Sequence, residues 1–324
     1  MSTFLRRAAA CLFALGAFAA TPAHAQAWPA KPVRLIAVFP PGGSVDQVAR
    51  ILAQQLTKQL GQSVVVENVG GASGSIGTNA VAKAAPDGHT FGVVFDTHGT
   101  NPSLIPNIQF DVMKDLEHVT LIGTSSMALV ASSKSKYASV KDMLADARTV
   151  KGINIGSIGT GSLGHLAMIQ AGNQGGWSWT HVPYRGGGPL MNDTVAGHMP
   201  IGIGTVFLVM PPVKNGTEKP LSVTGAKRSP QLPDTPTLAE VGLKNFEALA
   251  YWGVIAPAKT PPEIVNRMNA EIQKALKDPA VAERLSAQGM TITGQGPAEF
   301  GAFMKKEVER WSKIVKENRI SAGT

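Results

Sequence analysis

Cysteine is nearly absent from this 324-residue sequence, where Cys11 is the only one. It lies in an N-terminal segment laid out as a signal peptide: Arg6 and Arg7, an uncharged apolar run from Ala8 to Ala20, then Ala23, His24 and Ala25. The run is too short for a permanent membrane helix, and most of it follows Cys11, the wrong order for a lipoprotein. Cleavage near Ala25 makes residues 1–25 the expected signal peptide and leaves a mature chain without thiols. Disulfides, thiol catalysis and thiolate metal sites are thereby excluded. Aromatic residues make up only 6% and charged residues 16%. No block of like charge and no basic stripe interleaved with aromatics occurs, so nucleic acid is not an expected partner. The formal charge of +8 includes two units in Arg6 and Arg7. That mild excess suits a small anion but is ordinary for a soluble protein. No serine has glycine two before and two after it, which rules out a nucleophile elbow. His89, His98, His118, His165, His181 and His198 show no metal-ligand spacing. Neither a metal nor a cofactor is expected.

Glycine (35) and proline (22) are plentiful and fall between apolar segments, the punctuation of an α/β chain. Strands are expected at 33–39, 64–68, 90–95, 153–157, 180–184, 201–205, 221–224 and 251–256, with a long extended passage through 119–122 and 127–131. Between them the pattern gives helices at 46–60, 77–85, 139–148, 162–171, 189–196, 262–277, 280–287 and 300–317. In the first of these Val48, Ile51, Leu52, Leu56 and Leu60 share a face, and Gly61 supplies the C-terminal cap. A mature chain of about 300 residues suits two lobes better than a single core.

Four strand–turn–helix junctions combine glycine with hydroxyl or cationic residues: Pro41 to Ser44, Gly71 to Ser75, Gly159 to Ser162, and Arg185 to Gly188. Each places backbone N–H groups and a helix N-terminus at the carboxyl edge of a sheet, where open α/β sheets take their ligands. Glycine also lets the main chain approach a bound molecule closely. Any one junction is equally explained as a tight turn, but four together point to capture of an anion. Gly159 to Gly164 has the spacing of a dinucleotide fingerprint. The acid needed at the end of the next strand is missing from Trp177 to Arg185, so that reading is set aside. His165, one turn after Ser162, is the histidine expected near a ligand.

These residues resemble a known family. Trp28, Pro29, Lys31 to Ile36, Pro41 to Ser44 and Asp46 are similar to the opening of the Bug family, the solute receptors of tripartite tricarboxylate transporters. The likeness continues in order through Val64 to Asn68, Gly74 to Gly77, Ala84 to Thr90, Asn101 to Leu104, His181 to Gly187, Ala226 to Pro230 and Pro233 to Thr237. It implies a two-lobe, type II-like periplasmic-binding-protein fold with parallel-type sheets flanked by helices and two crossing hinge segments. Lobe 1 would comprise residues 26–123 and 251–324, and lobe 2 residues 124–250. A small organic carboxylate would be held in the cleft by Gly42, Gly43, Ser44, Asp46, Ala72, Ser73, Gly74, Asp96, Thr97 and His98 from lobe 1. Ser157, Thr160, Ser162, His165, Arg185, Gly186, Gly187 and Thr205 would face them from lobe 2. The implied partners are the ligand and the membrane subunits of a tripartite transporter, with the receptor itself a monomer. Two departures stand out: Asp96 occupies a position where the family often has a small hydroxyl residue, and Gly204 one where many members carry aspartate. A pocket acid is thus expected to have moved into lobe 1, where it would read an amine or hydroxyl of the ligand. Two competing readings remain, an inorganic oxyanion receptor and an exported enzyme using Asp46 or Asp96 with His165.

Overall fold

The computed structural model describes residues 28–149, 152–287, 289–317 and 320; the expected signal segment, residues 1–25, lies outside them. Three strands start the first lobe: β1 (Val33–Ala37), β2 (Val64–Asn68) and β3 (Thr90–Phe95), parallel in the order β2-β1-β3. Phe91, Val93, Val94 and Phe95 are all buried, as expected of a strand with cover on both faces. Helix α1 (Ser44–Leu60) buries Val45, Val48, Ile51, Leu52 and Leu56 against this sheet and ends at Gly61 in the left-handed conformation. Helix α2 (Ser75–Ala82) follows a short turn of 3-10 helix at Ala72–Gly74, and α3 (Thr97–Leu104) follows β3 directly.

The long strand β4 (Leu116–Ser132) belongs to both lobes. Residues up to Ser126 pair with β9 (Leu249–Pro257), and from Met127 onward the partners are β7 (Ile201–Thr205) and β8 (Glu218–Val223). In the second lobe β5 (Ile153–Ser157) pairs in parallel with β6 (Trp179–Pro183) and β7. Helices α4 (Val140–Ala147), α5 (Leu163–Gly175), α6 (Gly187–Ala196) and α7 (Val206–Lys214) belong to the same lobe. The chain returns along β9, and α8 (Pro262–Lys277), α9 (Pro279–Ser286), β10 (Thr291–Gln295) and α10 (Pro297–Glu317) complete lobe 1. The path β2-β1-β3-β9-β4-β7-β5-β6 is a mixed sheet and not the parallel one expected, since β9 runs antiparallel to both β3 and β4. The reason is directional: β4 carries the chain out of lobe 1 and β9 carries it back.

Thr224 ties the two crossings together. Its hydroxyl accepts from Met127 N–H at 2.9 Å and donates to the Ala248 carbonyl at 2.6 Å, while its own N–H reaches the Met127 carbonyl at 2.9 Å. Three elements escape the sequence pattern, namely α3, α7 and β10. Pro102 interrupts α3, Pro211 and Pro212 sit within α7, and proline inside a helical stretch reads as a stop.

Candidate ligand-binding cleft

Three helix N-termini converge where the lobes meet. From lobe 1 comes α1, preceded by Gly43 without a side-chain cap; from lobe 2 come α6, preceded by Gly186 and equally uncapped, and α7, capped by Thr205. The first N–H groups of a helix have no partner within it, so α1 and α6 both present free donors. A Cβ on Gly43 would stand 3.7 Å from the backbone nitrogens of Gly187 and Gly188, which brings the two helix starts nearly into contact. Between them lies a narrow chamber of about 10 Å³, lined by Gly43, Ser44, Val45, Gly187 and Thr205, with Phe39, Phe95, Ile158 and Leu208 as apolar walls. The summed N-terminal dipoles and free N–H groups favour a negative charge there.

The chamber shares Phe39 and Ile158 with an outer cavity of about 980 Å³ that is lined by the Gly70 to Ser73 turn, Gly159, Thr160 and Arg185. Arg185 is exposed and makes no ion pair or hydrogen bond among the described residues. Ala72 and Ser73 both hold left-handed backbones, with φ of 44° and 54°, a conformation that is uncommon for non-glycine residues and concentrates at functional sites. Asn101 Nδ2 donates to the Ser73 carbonyl at 3.0 Å, and Ser73 Oγ reaches across the cleft to the Thr160 carbonyl at 2.8 Å. A second interlobe bond joins Thr100 Oγ1 to the Gly161 carbonyl at 2.8 Å. The lobes are therefore closed upon each other.

The remaining expected site residues divide by what holds them. Asp46 is buried, and its oxygens accept from Gly42 N–H (3.0 Å), Arg50 Nε (2.9 Å) and Asn68 Nδ2 (2.9 Å). Burial alone would raise its pKa, but the hydrogen bonds from Arg50, Gly42 and Asn68 outweigh that and hold it below the ordinary value. It fixes the turn that lets Gly42 take φ 83°. Asp46→Ala is expected to lower stability by about 1–3 kcal/mol through the donors it strands. Because its folded pKa is depressed, the Asp46 contribution is present above the unfolded carboxylate pKa and disappears as pH falls through the folded one. Urea unfolding of wild type and variant at neutral and acidic pH measures both effects.

Ser157, Ser162 and His165 build the turn before α5. Ser157 Oγ donates to the Gly159 carbonyl at 3.0 Å and shares a 2.7 Å hydrogen bond with His181 Nε2; Ser162 caps α5. His165 Nδ1 accepts from Gly161 N–H at 2.9 Å, and its ring stacks on His181 at 3.8 Å. Burial, reinforced by the neighbouring His181, pushes His165 down to about 3, and burial takes His181 to about 4. Both rings are neutral at any physiological pH. Thr97 and His98 lie on α3 within lobe 1, and His98 is buried with its ring 6.2 Å from that of His118. Gly74 is buried below the Ala72–Ser73 turn. Asp96 adjoins Phe95, but only Phe95 faces the chamber.

Sequence reasoning missed the apolar walls, because Phe39, Phe95, Ile158 and Leu208 carry no mark separating them from core. It also missed Thr100, which sits in an unrecognised helix. Trp252 is fully buried below the chamber, its ring 5.2 Å from Phe95 of its own lobe and 5.5 Å from Phe207 of the other.

Known proteins share this arrangement. Residues 48–320 match the tripartite tricarboxylate transporter family receptor. The chain is 35% identical over 309 residues to protein BugT of Bordetella pertussis, covering 94% of this chain and 95% of that one. Among solved structures, the periplasmic binding protein BugD superposes with a TM-score of 0.86 at 31% identity, over 90% of this chain and 99% of the other. A Rhodopseudomonas palustris protein solved with adipate gives a TM-score of 0.86 at 32% identity, with the same coverage. The chain thus belongs to the receptor family of the tripartite tricarboxylate transporters.

Proposed function

We propose that this protein is an exported, periplasmic, non-catalytic receptor that closes two lobes over a small organic carboxylate and presents it to the membrane subunits of a tripartite transporter. The observation that carries this reading is the meeting of the α1, α6 and α7 N-termini at one chamber whose walls are otherwise apolar. One carboxylate of the ligand sits against the free N–H groups of Gly43 to Val45 and Gly187. Its body lies along Phe39 and Ile158, and Arg185 receives a second anionic group at the mouth. The adipate carried by the R. palustris relative fits this division into two charged ends and an apolar middle. Catalysis finds no support: Asp46 is taken up by its turn, His165 by Gly161 and His181. An inorganic oxyanion would leave the large outer cavity without a purpose.

Isothermal titration against mono-, di- and tricarboxylates, phosphate and sulfate tests the reading. Binding confined to the inorganic ions would overturn it, and turnover of a bound compound over hours would reinstate the enzyme. Arg185→Ala is expected to weaken a dicarboxylate by about 1.5–3 kcal/mol and leave the matching monocarboxylate unchanged. Equal effects on both would place Arg185 outside the site. Only a ligand that binds the closed form better can shift the lobes. Small-angle scattering is therefore expected to give a smaller radius of gyration at saturating ligand, and a radius independent of ligand would remove the closing cleft.

A further inference from the structure

Asp96 occupies a point where the two lobes touch, and neither of its carboxyl oxygens has a hydrogen-bond partner. The residue is 1% exposed. It stands between the end of β3 and the start of α3, and the Leu163 N–H at the start of α5 faces it from the other lobe. That N–H and the one of Thr97 point toward the carboxyl and favour its ionised form, but neither reaches full hydrogen-bond geometry. The seal over this point is made by lobe contacts. Thr100 donates to Gly161, and Gly161 packs so closely on Leu104 that a Cβ there would lie 2.2 Å from Leu104 Cδ1. Since α3 belongs to lobe 1 and the Gly161 turn to lobe 2, opening the cleft breaks this seal and admits water to the carboxyl.

The surroundings offer no cation. Glu307 on α10 adds negative charge. Tyr251 on β9 uses its hydroxyl to reach the Asp96 carbonyl at 3.3 Å. His98 on α3 is driven by burial, and further by His118, to about 3, and His118 on β4 by burial to about 4, so both stay neutral. An ionised carboxylate without partner is far more expensive to bury than a neutral carboxyl. We propose that Asp96 is a proton-binding site completed by lobe closure, so that the receptor takes up a proton together with its carboxylate ligand.

The direction follows from linkage. In the closed form burial outweighs the lowering effect of the Leu163 and Thr97 N–H groups and, with Glu307 adding to it, raises the Asp96 pKa well above the ordinary carboxylate value; in the open form water hydrates the carboxyl and the pKa moves back toward that value. Closure is therefore unopposed below the open-form pKa. It is weakened progressively as pH rises from there toward the closed-form pKa, by up to about tenfold per pH unit. Ligand affinity inherits the same slope.

The inference rests on the proposed closing over a carboxylate, and the experiment separates the two. Titration of the mature protein with adipate and other dicarboxylates, in buffers of different ionisation enthalpy, is expected to report uptake approaching one proton per ligand, with affinity falling as pH rises. Asp96→Asn, a neutral isostere, is expected to bring uptake to zero and flatten the pH dependence. Carboxylate binding with no proton uptake in wild type, or with uptake unchanged in Asp96→Asn, overturns the proton site while leaving the receptor intact. Failure of every carboxylate to bind would count against the receptor reading, and the proton site is then read from the ligand-free protein. Its radius of gyration is expected to shrink as pH falls in wild type but not in Asp96→Asn, and identical profiles would overturn the inference.

Discussion

Gly43→Val abolishes ligand binding and leaves the fold intact: the expected loss is at least about 100-fold in affinity, near 2.7 kcal/mol, with a melting temperature shifted by no more than about 2–3 °C. The argument is local. Gly43 has φ −80° and ψ 170°, an extended conformation open to any residue. The nearest atoms to a Cβ at this position are the Gly187 and Gly188 nitrogens and the Pro40 carbonyl oxygen, each at 3.7 Å, an ordinary van der Waals distance. The first carbon is accommodated, and the two further methyl groups of valine must enter the chamber or hold the α1 and α6 N-termini apart. Either outcome removes the place of the ligand oxygens, and the second also prevents closure. Gly43→Ala, which adds only the tolerated atom, is expected to weaken binding far less. Titration calorimetry and scattering on both variants give the test. A valine variant that binds as wild type would show that the carboxylate sits elsewhere.

The legible part of the molecule was whatever the chain repeats locally. Strands β2, β3, β5 and β7 and helix α8 fall on the residues expected of them, because short runs or alternations of β-branched and other apolar residues, or a clean helical face, define them without help from the rest of the fold. The glycine-rich turns were legible as a group for the same reason: Gly42, Gly43, Gly186 and Gly187 come together across the cleft. What the turns share does not tell their jobs apart. Asp46 reads as a ligand acid until Arg50 and Asn68 are seen to converge on it from one helical turn and one strand away. Asp96 reads as a pocket acid, and only the packing of α3 against the Gly161 turn shows that it faces another helix start. The mixed sheet was illegible because strand direction is set by how often the chain crosses between lobes. Helix α7 was hidden by Pro211 and Pro212, although its N-terminal half, Val206 to Met210, is buried and needs no contribution from helix propensity.

Gly77 carries the second large effect, and here the same glycine-rich motif serves packing. In the interior of an isolated helix, alanine in place of glycine stabilises by about 1 kcal/mol, and Gly77, in the first turn of α2, could gain no more than that. In this protein a Cβ on Gly77 would lie 2.4 Å from the Val69 carbonyl oxygen and 2.9 Å from Val38 Cα. Both are backbone atoms, and the Val69 N–H is bonded to the Ala37 carbonyl at 3.0 Å, which pins that stretch to the end of β1. Neither can rotate out of the way as a side chain could, so α2 must lift off the sheet. Overpacking of this kind costs about 1–3 kcal/mol, occasionally more, and a clash with pinned main chain belongs at the upper end. Gly77→Ala is expected to be destabilising by about 2–3 kcal/mol in guanidinium unfolding, the clash exceeding the gain in propensity. Lifting α2 also displaces Ile76, whose Cδ1 lies 2.7 Å from where a Cβ on Gly71 would stand. The Gly71 to Gly74 turn then loses its register with Thr160, so ligand affinity falls together with stability. A stabilised variant with normal affinity would mean that α2 slides freely on the sheet, and that this motif serves the cleft through its turn alone.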